Sequence, residues 1–112
     1  MIYEIRVYTP HDGKAEALRQ RFLQHTLRLF DRAGIEVVEV LAPASSPGMS
    51  PGPAGDDLWY ITRFADEAAR TAAWDAFKAD PEWPGIKAAT ETDGPLLKAQ
   101  TVTVLTALPR VS

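Results

Sequence analysis

Polar and apolar positions change period several times along the chain, and each change marks an element. Ile2 to Thr9 alternates, with Tyr3, Ile5 and Val7 against Glu4, Arg6 and Tyr8, as a half-covered strand does. Pro10-His11-Asp12-Gly13 breaks that strand. From Lys14 to Ala33 the period is helical. At about 100° per residue, Ala15, Leu18, Phe22, Leu23, Thr26, Leu29, Phe30 and Ala33 fill one arc, and Gln20, Arg21, Gln24, Arg28 and Asp31 fill the opposite one. Gly34 stops the helix as a left-handed terminal residue, and Ile35 to Ala42 reads as a second strand.

The later half repeats the scheme. Leu58 to Phe64 is rich in aromatic and β-branched residues, a third strand. Asp66 is placed to cap the helix that follows, on which Ala73, Trp74 and Phe77 share one face. Asp80 is placed to cap a further short helix from Pro81 to about Ala89, weakened by Pro84-Gly85. After an Asp93-Gly94-Pro95 turn, Gln100 to Leu108 forms a fourth strand. Between the second and third strands, residues 43–55 hold four of the nine prolines and three of the seven glycines. That composition predicts a mobile connection, either a lid over a pocket or a tolerated insertion.

The order βαβ, hairpin, βαβ predicts one α+β domain over residues 1–112. It is a ferredoxin-like split βαβ sandwich, a four-stranded antiparallel sheet with helices on one face. Two helices leave the other face bare, yet the strands carry apolar residues on both faces: Val37 and Val38, Val40 and Leu41, Trp59 and Tyr60, Val104 and Leu105. Each buried aliphatic side chain is worth about 1.5–3 kcal/mol, so an exposed apolar sheet face is a liability. A second copy of the chain stacked on it, a two-fold homodimer closing a barrel, is the expected remedy.

Composition narrows the chemistry. The chain lacks cysteine, which excludes disulfides, thiol catalysis and thiolate metal sites. The two histidines are far apart in the pattern, so no metal site is expected. A net charge of −3 without a basic cluster argues against nucleic acid. No apolar run approaches the ~20 residues needed to span a bilayer, and the N-terminus enters a strand pattern directly. A cytoplasmic protein without a membrane partner is expected. Ser45, Ser46 and Ser50 lie in the Pro/Gly-rich connection, not on a strained elbow. No glycine-rich phosphate loop follows a strand, and no cofactor is expected.

Candidate site residues remain few. His25 sits at the border of the long helix's apolar arc, placed either for acid–base work in a helix–sheet cleft or as a core-edge histidine. Glu4, Arg6 and Tyr8 share one strand face, and Arg63 joins them if the third strand lies alongside the first. They orient an acidic or carbonyl-bearing ligand or form an internal ion-pair network. Trp59, Tyr60, Trp74 and Trp83 line an aromatic pocket or belong to the core.

Tyr3-Glu4-Ile5-Arg6-Val7-Tyr8, Gly13-Lys14, His25, the Trp59–Arg63–Phe64 strand end and Asp80-Pro81-Glu82-Trp83 together resemble the NIPSNAP family, within the dimeric α/β-barrel superfamily. The resemblance covers nearly the whole chain. It departs at the 43–55 connection, longer than such proteins usually carry, and at Pro84-Gly85. It implies a ferredoxin-like protomer and a homodimer. The superfamily includes cofactor-free monooxygenases, isomerases, cyclases and haem-degrading enzymes, so fold alone does not choose a reaction. The expected function is a small cofactor-independent enzyme that isomerises, cyclises or oxygenates a hydrophobic carbonyl, aromatic or polyketide-like compound. His25, Tyr8 and Arg6 would carry the chemistry. Glu4, Trp59, Tyr60, Arg63, Trp74 and Trp83 would bind the substrate. The alternative is a non-catalytic small-molecule-binding or scaffold homodimer.

Overall fold

The alternation at the N-terminus builds the central strand of the sheet. In the computed structural model, which describes residues 1–43 and 55–110, β1 spans Ile2–Pro10. Its neighbours are β3 (Leu58–Phe64) and β4 (Leu97–Thr106), and β2 (Glu36–Leu41) pairs with β3 from the far side. The order is β2-β3-β1-β4, every pair antiparallel, the ferredoxin-like arrangement expected from the sequence. The reading of residues 43–55 as a mobile connection falls, apart from its two ends, outside the described residues.

Register decides which residues reach the helices. Glu4 pairs with Thr62 and Arg6 with Tyr60 across β1 and β3. These four point towards the helical layer, where Glu4, Thr62 and Tyr60 are fully buried. Tyr3, Ile5 and Val7 point the other way, opposite Arg63, Ile61 and Trp59. Helices cover only the first face. On the other, Trp59, Leu41 and Leu105 are 37%, 46% and 45% exposed in the single chain.

The first helical segment is not uniform. α1 (Ala15–Arg21) passes through a π-helical turn at Phe22–Thr26 into α2 (Leu27–Ala33). The Leu27 N–H reaches back five residues to the Phe22 carbonyl. A π turn fits an extra residue into the rotation, so a constant 100° projection fails across it. Leu23, expected in the apolar arc, is 57% exposed, and Arg21, expected on the polar side, is 5% exposed. The buried stripe is Leu18, Phe22, Thr26, Leu29 and Phe30. Gly34 ends α2 at φ 91°, and the Ile35 N–H closes onto the Phe30 carbonyl at 2.9 Å, the Schellman pattern that glycine permits.

α3 (Glu67–Lys78) starts as anticipated, the Asp66 carboxylate accepting from the Ala69 N–H at 2.8 Å. It buries Ala73 and Phe77. α4 (Trp83–Thr90) begins two residues later than expected. Pro84 thereby falls in its first turn, where a missing N–H costs little, so Pro84-Gly85 does not interrupt it. Asp80 instead accepts from the Glu82 N–H at 2.9 Å and ties the turn before α4. β4 likewise starts three residues earlier than expected, at Leu97. The core between sheet and helices is a chain of edge-to-face and tilted rings running from Tyr8 through Phe22, Tyr60, Phe30 and Trp74 to Phe77 and Trp83.

Candidate functional site: a cationic aromatic cleft

A cleft of about 650 Å³ opens between the β1–β4 side of the sheet and helices α3 and α4. That size suits a small organic ligand. Arg6 and Tyr8 come from β1, Arg21 from α1, Arg70, Trp74, Asp75 and Lys78 from α3, and Trp83 and Lys87 from α4. Beneath it lies an apolar annex of about 50 Å³ walled by Leu18, Phe22, Phe77 and Leu97.

The floor is organised by one buried carboxylate. Glu4 accepts from Arg6 at 3.1 and 3.3 Å, Arg70 Nε at 2.7 Å, Trp74 Nε1 at 2.9 Å and Thr62 Oγ1 at 2.8 Å. Burial pushes its carboxyl upwards, but the hydrogen bonds from Arg6, Arg70 and Thr62 outweigh burial and hold it below the ordinary carboxylate range. Glu4 is therefore a carboxylate at neutral pH. Its acceptor sites are consumed by the protein, which makes it a foundation and not a base. Arg6 stacks over the Trp74 ring with its guanidinium carbon 3.8 Å from the centroid.

Beside Arg6, the Tyr8 and Tyr60 hydroxyls lie 2.6 Å apart. Burial pushes both phenols up, so both are neutral. Tyr60 is fully buried, and its hydroxyl has no hydrogen-bond partner but Tyr8 among the described residues. A buried O–H needs an acceptor, so Tyr60 donates to Tyr8. The proton of Tyr8 is then free for the cleft.

At the far end, Arg21 donates to Glu91 at 2.8 Å and to Thr90 at 3.3 Å, with its guanidinium 5.2 Å from the centre of the Trp83 ring. The π turn is what swings this arginine inwards.

Among the residues singled out from sequence, Arg6, Tyr8, Trp74 and Trp83 line the cleft. Glu4 and Tyr60 stand directly behind them. Three do not join. Arg63 pairs with Tyr3, not Glu4, so it faces the opposite side of the sheet, where it is bonded to Glu36. Trp59 sits opposite Val7 on that same open face. His25 lies half-buried in the π turn and does not line the cleft. Sequence reasoning missed Arg70, Arg21, Lys78 and Lys87. Arg70 was within reach: it precedes Trp74 by four residues on α3 and so shares its helical face. Arg21 was not, because nothing in the local pattern announces a π turn.

The NIPSNAP family model matches residues 3–110. The chain belongs to the NIPSNAP family. Similar solved structures include an uncharacterized NIPSNAP domain protein from Burkholderia xenovorans, 16% identical, covering 100% of this chain and 99% of that one with a TM-score of 0.78. A NIPSNAP family protein from Agrobacterium tumefaciens is 11% identical over 96% of this chain and 92% of its own, with a TM-score of 0.77. A candidate antibiotic biosynthesis monooxygenase from Deinococcus radiodurans is 13% identical, covering 100% and 97% of the two chains, with a TM-score of 0.60. Identities this low carry the fold and nothing finer. Among curated proteins none matches.

The segment that opens α4 also acquires a physical meaning. In Asp80-Pro81-Glu82-Trp83, Asp80 takes Arg32 at 2.7 Å and Glu82 takes Arg28 at 2.6 Å, fixing the start of α4 against α2. Trp83 is thereby set into the cleft wall. Among the described residues, no group of three or more histidine, cysteine, aspartate or glutamate side chains is arranged to hold a metal ion. No helix there is long and apolar enough to cross a membrane.

Proposed function

We propose that this NIPSNAP chain is a small-molecule enzyme that binds an aromatic or polyketide-like carbonyl compound in the cleft and polarises its carbonyl oxygen. The supporting observation is the Tyr8–Tyr60 pair. The buried Tyr60 hydroxyl has Tyr8 as its one hydrogen-bond partner among the described residues; donation from Tyr60 leaves the Tyr8 proton to the cleft, and the Arg6 cation on the same strand face stands beside it. A neutral phenol with a cation nearby stabilises the negative charge that builds on a carbonyl oxygen as it enolises, the α-proton passing to water or to the Asp75 carboxylate of the cleft lining. The isomerisation or cyclisation expected from sequence needs that step. Trp74 and Trp83 supply ring faces for an aromatic substrate. Tyr8 and Arg6 keep the roles expected from sequence, whereas His25, away from the cleft lining, takes no part.

A homodimer belongs to this proposal. Trp59 and Leu41 pair towards one end of the uncovered face and Leu105 lies opposite Tyr3 towards the other, apolar side chains that a second sheet would bury. Light scattering should then give about twice the 12.3 kDa chain mass.

The direct test is a panel of aromatic and polyketide-like ketones incubated with the protein and followed by mass spectrometry. A compound converted by the parent chain should be turned over at least about a hundredfold more slowly by Tyr8→Phe, the scale of losing one oxyanion donor. Equal turnover by the variant would remove Tyr8 from the chemistry. A second reading, binding without turnover, is favoured by the absence of an imidazole from the cleft lining. It predicts saturable binding with no conversion of any bound ketone.

A further inference from the structure

We infer that the ligand of this cleft is an organic anion, a carboxylate joined to an aromatic body, whose carboxylate lies against the free edges of Arg6 and Arg70. The inference deepens the proposed use of the cleft and rests on it. Arg6 spends Nε and Nη2 on Glu4. Arg70 spends Nε on Glu4 and Nη1 on Glu67. Arg6 Nη1 and Arg70 Nη2 have no acceptor among the described residues, and neither is among the buried polar atoms left without a partner. Two planar forks are thus gripped from behind by one carboxylate, each with a donor left over at a cleft wall.

Charge points the same way. Glu4 carries one negative charge against two guanidinium groups, and the second partner of Arg70, Glu67, is 60% exposed, where pairing counts for little. Lys78 and Lys87 also line the cleft and form no salt bridge among the described residues. In all, five cationic side chains of the lining face Asp75, Glu91 and, behind them, Glu4, in a chain whose net charge is −3. A cleft so lined concentrates anions against the sign of the whole molecule. The clamp is also rigid. Arg6 is held over the Trp74 ring and by Glu4, so little freedom is lost when a carboxylate takes one donor from each guanidinium.

The test compares 2-naphthoate with 2-naphthamide, which share ring and shape but differ in charge, by quenching of tryptophan fluorescence at pH 7. The parent chain should bind the carboxylate at least about tenfold tighter, the scale of a charge-assisted pair. Arg70→Gln, which leaves Glu4 bonded to Arg6, Thr62 and Trp74 and so strands no buried charge, should lose most of that preference. Arg70→Lys, which keeps a cation beside Glu4 but removes the second planar fork, should also lose most of it and serves if Arg70→Gln does not fold. Equal affinity of the two probes for the parent chain overturns the anion assignment and leaves the cleft as a neutral-ligand site. An unchanged preference in folded variants overturns the role of the arginine clamp. Failure of both probes to bind at their solubility limits overturns the assignment together with the cleft reading beneath it.

Discussion

Two arginine–carboxylate clusters hold this domain together, and they share little beyond composition. At the cleft floor, fully buried Glu4 meets Arg6 and Arg70, whose side chains are 14% and 23% exposed. At the seam of α2 and α4, Arg28 and Arg32 meet Asp80 and Glu82, with Arg28, Arg32 and Glu82 about half exposed. Apart from the buried Asp80 carboxylate, the seam cluster competes with water for its bonds, so it fixes a direction more than it adds stability. The floor cluster has excluded water from its carboxylate. Removing one partner there strands the rest in a poor solvent. The difference also separates function from support: the seam aligns α4, while the floor leaves unspent donors where a ligand can reach them.

The sharpest way to break the comparison is Glu4→Gln. Arg6 and Arg70 would face each other without a counter-ion, and Trp74 and Thr62 would lose a charged acceptor. The expected loss is about 3–5 kcal/mol, a large share of the 5–15 kcal/mol typical of a domain, read as a fall in Tm of more than about 10 °C. Replacing all three charges by apolar groups, Glu4→Leu with Arg6→Met and Arg70→Met, should recover at least half of that loss. A triple variant no better than the single one would show that hydrogen-bond geometry, not an uncompensated charge, sets the cost. Trp74→Phe removes only one of the donors to Glu4, and should cost about 1–2 kcal/mol.

Acid separates the clusters next. The Glu4 carboxyl is lower in the folded chain than its ordinary value of about 4.3. Its contribution is therefore complete above that value and is lost as pH falls through the lower folded value. Glu82, held down to about 2 by Arg28 and Arg32, follows the same sign, its share fading between about pH 4.5 and 2. Both weaken the fold in acid, but only the exposed cluster should respond strongly to salt. The acid limb of a stability–pH curve should keep its Glu4 part in 1 M NaCl, and that part should vanish in Glu4→Gln. At the other extreme, burial raises the Tyr8 and Tyr60 phenols. Stability should fall above about pH 10, where the unfolded phenols ionise.

How far the sequence revealed each cluster follows from the order of contacts along the chain. Strand alternation put Glu4, Arg6 and Tyr8 on one face, and the structure keeps them there. The antiparallel sandwich and the Asp66 and Gly34 termini came from local rules and stand as expected. Arg63 went astray because its face depends on pairing register, and a shift of one residue reverses every side chain. Tyr3 opposite Arg63 fixes that register only once the sheet exists. The long helix misled for a similar reason: one π turn exchanged the fates of Arg21 and Leu23. His25 drew attention through rarity, since only two histidines are present, and rarity says nothing about where a side chain lies. Arg70 shows the opposite failing. Its place on the Trp74 face of α3 was legible in the spacing, but its contact with Glu4, 66 residues away, was not.

The smallest expected effect belongs to the seam, and it is the one that best sharpens the contrast. Arg28→Ala deletes the bidentate pair to Glu82, whose bonds of 2.6 and 3.1 Å are among the best-formed in the chain. Distance alone would rank this pair with the Glu4 contacts. Exposure says otherwise, because water replaces what the alanine variant loses and Glu82 keeps Arg32 at 3.2 Å. The expected Tm change is within about 3 °C, shrinking further in 0.5 M NaCl. Ligand binding is the finer readout. If the seam does no more than orient α4, Arg28→Ala should weaken binding to the cleft through Trp83 and Lys87 by no more than about threefold, equally for naphthoate and naphthamide. A loss confined to naphthoate would mean that the seam charges also shape the field inside the cleft, and that the two clusters act as one.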